Sequence, residues 1–137
     1  MRLVAASEMN RLAQRFLFLD GAAGSAVGLF TLTFRGWLAE LYAMPLSLVT
    51  LIGCANLAYG SYSGTLAVRA WYQRAPSRRA VDLLIAANLA WTVVCAALVL
   101  ATFRSASVFG LGHVILEGLF VAWLAFAERR LVRPFAR

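Results

Sequence analysis

The chain has 137 residues, of which 62% are hydrophobic and 14% charged, and a net charge of +7. Its mean hydropathy is +0.76, whereas a soluble domain of this size carries about 25% charged residues. That balance excludes an ordinary cytosolic enzyme, a disordered tail and a disulfide-stapled secreted module, and it points to a small integral membrane protein.

Four apolar segments follow one another along a single domain, 1–137. Arg2, Arg11 and Arg15 precede the first, 16–34, in which Phe16 to Leu19 meet Asp20 too soon for a secretory signal peptide. A short stretch follows, 35–44, with Trp37 and Tyr42 at headgroup level and Met44-Pro45 opening the next helix. The second segment is 45–68. A loop holding Arg69, Arg74, Arg78 and Arg79 then leads to the third, 80–103. Only 104–107 separate it from the fourth, 108–127, so the third and fourth helices are expected to be antiparallel neighbours. Each segment is long enough at about 1.5 Å per residue to cross about 30 Å of hydrocarbon. Backbone groups in lipid are satisfied only within helices or closed barrels, and these segments read as helices.

Every basic residue is Arg, and position explains the excess. Arg129, Arg130, Arg133 and Arg137 close the chain, which leaves only Arg35 and Arg104 on the opposite side. This is the positive-inside asymmetry, and it calls for no nucleic acid. The expected fold is therefore all-α: a four-transmembrane-helix bundle, antiparallel and up-down, with both termini cytoplasmic in a bacterial inner membrane. All-Arg usage and abundant Ala fit a GC-rich bacterial source.

Read at helical spacing, each segment has one small or polar face. Gly24/Gly28 and Gly60/Gly64 have the small-xxx-small spacing that lets backbones approach in lipid, and packing within one bundle is the simpler use of it. Asn56, Tyr59, Asn88 and Glu117 fall about 12 to 18 Å from the cytoplasmic ends, at one expected level near mid-membrane. A central carboxyl costs about 3 kcal/mol or more, so Glu117 is expected to face inward and either to take up a proton or to bond both Asn side chains, with His113 one turn away able to share its proton. The cluster Glu117, His113, Asn88, Asn56 and Tyr59 supports two readings: a proton-coupling or ligand-binding carboxyl, or a hydrogen-bonded knot that fixes helix pairing.

Asp20 and Asp82 lie near the cytoplasmic ends, where Arg15 and Arg79 are the expected partners. Cys54 and Cys95 read as two buried thiols. A lone His supports neither a metal site nor bis-histidine haem, and no catalytic triad, phosphate loop or dinucleotide fingerprint is present, so neither catalysis nor a cofactor is expected.

Asn88-Leu89-Ala90-Trp91, the Leu19-Asp20-Gly21 step, Met44-Pro45 and the Gly- and Glu-bearing fourth segment together resemble a group of uncharacterised small bacterial four-helix membrane proteins. The resemblance implies fold and topology, and no activity. Small multidrug-resistance transporters share the size and helix count, but their coupling Glu lies in the first helix, where this chain has only Asp20.

Two functions follow as expectations. One is a non-enzymatic membrane protein acting by association, as an accessory or assembly subunit or as a homo-oligomer. The other is a small proton-linked carrier working as a dimer through Glu117. The expected partners are the lipid bilayer and either a second copy or another membrane protein.

Overall fold

The computed structural model describes residues 2–72 and 76–136, with side chains from Arg11 onward. Arg74 and Arg137, and the side chain of Arg2, which enter the charge asymmetry, lie outside the described residues. Within them the chain is all-helical: α1 (Arg2–Thr33), α2 (Arg35–Tyr42), α3 (Leu46–Trp71), α4 (Arg78–Thr102) and α5 (Val108–Leu131), closed by a 3₁₀ turn at Arg133–Phe135.

The helix ends follow from local chemistry. Ser77 and Ser107 cap α4 and α5, their side chains accepting from the backbone N–H of Ala80 and Gly110 at 3.2 and 3.1 Å. Pro45 sets the extended turn before α3. Two helices outrun their apolar segments. Arg2–Arg15 of α1 and Glu128–Leu131 of α5 mix charged and polar residues with good helix formers such as Leu and Ala, and prolong a helix while keeping the mean hydropathy low.

The 35–44 stretch, expected as an interfacial connection, forms the eight-residue helix α2. Ala43 ends it in the left-handed conformation (φ 51°), donating to the carbonyls of Ala39 and Glu40. Leu38 and Met44 anchor it against Val49, Ile52, Cys95 and Val114, while Trp37 stays exposed. Ser107 ties the α4–α5 turn to it, donating its backbone N–H to Tyr42 O at 2.8 Å and its hydroxyl to Leu41 O at 2.7 Å.

The long helices pack as two pairs, α1 on α3 and α4 on α5. The second pair is the neighbour relation expected from the short 104–107 turn. Gly21, Gly24 and Gly28 of α1 meet Gly64, Gly60 and Leu57 of α3 in reverse order, so the two run antiparallel. A Cβ on Gly28 would sit 2.5 Å from Leu57 N. Gly64 offers its backbone to Gly21, although its own Cβ position faces open space. In the other pair, Gly118 lets Cys95 approach.

A second apolar cluster, Leu17, Leu66, Val81, Leu84 and Val132, closes the Arg-rich end. Leu19, Leu29, Val93, Leu100, Leu116 and Phe126 are all exposed on the outer faces, while Asp20, Ser63, Asn88 and Glu128 are buried. A polar interior with an apolar exterior suits hydrocarbon rather than water. α1 from Arg11, α4, and α5 with its terminal turn are each long and apolar enough to cross a membrane. These features mark the chain as a membrane protein. α3 is equally long, but Asn56, Tyr59, Ser61, Tyr62 and Ser63 lower its hydropathy, and length and composition alone do not mark it as a span.

Three expectations change. Asp20 does not pair with Arg15 but turns into the interior, where it is only 4% exposed. Asp82 pairs with Arg133 at 2.6 Å rather than with Arg79. Cys54 is exposed, and only Cys95 is buried.

Candidate functional site: two buried carboxyl knots

The polar side chains of the interior form two hydrogen-bonded knots about one helical turn apart along α3. The first centres on Glu117. Its Oε1 accepts from Asn56 Nδ2 at 2.6 Å and from the Trp91 indole N–H at 2.7 Å. His113, one turn earlier on α5, brings Nε2 within 3.1 Å of Oε2. That ring N–H does not point along the line, so the nitrogen is buried without an aligned partner. The opposite edge of the ring, Nδ1, lies 3.4 Å from the Tyr42 hydroxyl, and the two rings stack with centroids 5.2 Å apart. Burial first, then the Glu117 charge, raises the Tyr42 phenol above its usual range. The neutral phenol can donate to Nδ1 or accept from it, so the contact suits either tautomer of the imidazole.

The second knot lies nearer the Arg-rich end and centres on Tyr59. The phenol donates toward Asp20 Oδ2 at 2.7 Å and Glu128 Oε1 at 3.0 Å, and accepts from Asn88 Nδ2 at 2.9 Å. Asn88 also donates to Glu128 Oε2 at 3.0 Å, and Ser63 donates to Asp20 Oδ2 at 2.5 Å. Tyr59 has one hydroxyl hydrogen for two acids. Both contacts are hydrogen bonds only when Asp20 or Glu128 itself carries a proton. The pair is thus built to hold a proton, with Tyr59 as the bridge between its members.

This geometry divides the cluster expected at one depth. Glu117, His113 and Asn56 come together, whereas Asn88 and Tyr59 belong to the other knot, because Tyr59 reaches toward Asp20 and Glu128. Glu117 bonds one of the two Asn side chains, and Trp91 replaces the other. Gly24, Gly28, Gly60 and Gly64 all lie in the α1–α3 contact.

Glu128, with no exposed surface, escaped sequence reasoning because the apolar segment ends at Ala127 and Arg129-Arg130 follow. Its eleven-residue spacing from Glu117 is close to three helical turns, which places both on one face. Asp20 and Ser63 lie on the polar faces of their own helices, but their partners could not be read from one helix at a time.

Two clefts flank the knots. One, of about 380 Å³, opens between α3 and α4 and is lined by Tyr59, Tyr62, Asn88 and Trp91. The other, of about 260 Å³, opens between α1 and α5 and is lined by Asp20, His113, Glu117 and Phe120. Asn56, Tyr59 and Val121 border both, so the polar chain forms the partition between them. Asp20 belongs to the wall of the smaller cleft, and its Oδ1 is buried behind that wall with no hydrogen-bond partner. Among the described residues, no three His, Cys, Asp or Glu side chains are placed to hold a metal ion. Comparison with family models, curated proteins and solved structures finds no match for this chain.

Proposed function

We propose that the protein is a four-helix membrane bundle, up-down and antiparallel, in which α1, α3, α4 and α5 all cross a bacterial inner membrane and both termini are cytoplasmic. The Arg distribution supports this orientation. α3 suits lipid despite its composition. Ser63 is buried, and the outward hydroxyls of Thr50, Ser61 and Thr65 donate to carbonyls one turn back, at 2.7 to 2.8 Å. Exposed Trp71 and Tyr72 at the Arg-rich end, and Trp37 at the other, supply the interfacial aromatics.

Within that bundle the protein acts as a small proton-linked carrier. The observation that carries this reading is the Asp20 carboxyl in the wall of a cleft, its Oδ1 unpaired, beside acids arranged to share a proton. A knot that served only to hold helices together would use all its acceptors, because an unmatched carboxyl oxygen away from water costs about 1–3 kcal/mol. Glu117 with His113, and Asp20 with Glu128, provide two proton-holding pairs at successive depths.

The test is proton movement in proteoliposomes with an entrapped pH-sensitive dye, offered a mixture of small ammonium, neutral and carboxylate solutes. Solute-dependent proton flux above that of protein-free vesicles is expected, and Glu117→Gln is expected to lower it about tenfold or more, equivalent to 1.4 kcal/mol, at unchanged melting temperature. Flux no greater than in empty vesicles, or flux that survives the substitution, rejects the carrier.

A second reading, action by association, draws on a specific surface. A shallow outer groove on the α1–α3 pair is lined by Gly21, Ser25, Ser61, Gly64 and Thr65, small residues of the kind that admit another helix, with Phe18, Val68 and Arg69 also on its walls. The same groove serves the carrier reading if the working unit is a dimer. Native mass measurement in mild detergent is expected to show a species of at least twice 14.9 kDa. A clean monomer under gentle extraction argues against both the dimer and the association reading.

A further inference from the structure

We propose that the cleft between α1 and α5 binds an elongated apolar ammonium cation, whose charge is met by the Asp20 carboxyl in the cleft wall. The inference rests on the carrier reading and names the solute class.

Three observations converge on it. First, Asp20 is 4% exposed, and its Oδ2 is occupied by Ser63 and Tyr59 while Oδ1 receives nothing. A carboxyl oxygen left unpaired just behind the cleft wall gains a partner when the side chain turns toward an incoming donor, and a charged donor bonds it most strongly. Second, the lining is chemically one-sided. It contains the acids Asp20 and Glu117 and no Arg, with Glu117 already facing His113. A carboxylate or phosphate entering there would meet Asp20 with no countercharge beside it. Third, the remaining walls are apolar, with Val27, Leu116, Phe120 and Leu124 along the length. The α5 residues on the wall run from His113 to Leu124, eleven positions or about 16 Å of helix, so the space is longer than it is wide. Phe120 offers an aromatic face to a cation.

The probe is 2-phenylethylammonium, titrated into the full chain in detergent micelles by calorimetry and by melting temperature. 2-Phenylethanol and 3-phenylpropanoate serve as the neutral and anionic comparisons. The ammonium is expected to bind and to raise the melting temperature, the other two to do neither. Asp20→Asn is expected to weaken binding about tenfold or more. Because that change touches Ser63 and Tyr59 and can impair folding, a second variant, Ala23→Phe, fills the cleft from α1 and leaves the carboxyls in place. It is expected to stay folded and lose the probe. No ammonium binding to the wild-type chain, equal binding of the alcohol, unchanged affinity in Asp20→Asn, or retained binding in Ala23→Phe each overturns the proposal.

The carrier reading is judged separately. Proton flux with other solutes and no ammonium binding rejects the cation site alone. Ammonium binding without any proton flux rejects the carrier and leaves a binding site.

Discussion

Placing valine at Gly60 is expected to separate α1 from α3 and destabilise the protein by about 3 kcal/mol or more. A Cβ at this position would overlap the backbone of Gly24 and Ser25, so no side-chain rotation relieves it. The neighbours cannot yield independently, because Gly21 and Gly28 hold the same pair of helices at equally close range one turn on either side. Without a hydrophobic drive between helices in lipid, van der Waals contact at short distance is the main attraction between α1 and α3. Asp20 would then move away from Ser63 and Tyr59, and the second knot would open with it. Denaturation with sodium dodecyl sulfate, followed by tryptophan fluorescence, measures the loss. Gly112→Ala is the matched control: nothing lies within 4 Å of its Cβ position, and the change is expected to be neutral or stabilising by up to about 1 kcal/mol through helix propensity. Equal unfolding of Gly60→Val and the wild type would show that the helices do not approach as described.

Glu128→Ala is the other large effect expected, a loss of about 2–4 kcal/mol. Both Glu128 oxygens are occupied, one facing Tyr59 and one Asn88, and the side chain has no exposed surface. Its removal leaves the Asn88 amide with a donor unmatched, which costs about 1–3 kcal/mol, and leaves a cavity the size of the lost side chain. Interhelical hydrogen bonds in membranes average only about 0.6 kcal/mol, so most of the effect comes from the orphaned donor and the void. Glu128→Gln keeps the volume and the acceptor toward Asn88, and it is expected to cost under about 1 kcal/mol. The same denaturant series, run on both variants, separates the cases. If alanine is no worse than glutamine, Glu128 does not close the knot.

Glu128 also shows what limited the reading of the site. On its own helix it follows the last apolar residue and precedes two arginines, a context that signals a solvated end. Only the reach of Tyr59 and Asn88 from α3 and α4 makes it an interior group. Asp20 is similar: one turn of apolar sequence, Phe16 to Leu19, separates it from the basic flank and suggested a pairing with Arg15, yet Ser63 and Tyr59 give it a better environment inside. Trp91 was legible as part of Asn88-x-x-Trp91, but its bond to Glu117 depends on how α4 and α5 are rotated against each other. In contrast, the glycine positions on α1 and α3 were readable, because side-chain-free spacing has few structural uses in a long apolar helix.

Local sequence determined the four long helices, the apolar character that lets three of them span a membrane, and the helix faces that are small or polar. These depend on hydropathy, propensity and a 3.6-residue period, all of which act along the chain. The tertiary structure decided which polar groups meet. It divided the expected central cluster between two knots, drew Asp20 and Glu128 into one of them, and folded the 35–44 stretch into a helix over one end. Hydrogen-bond donors and acceptors on different helices find each other through helix rotation and depth, which are set by close packing between helices and leave no periodic trace in any one of them.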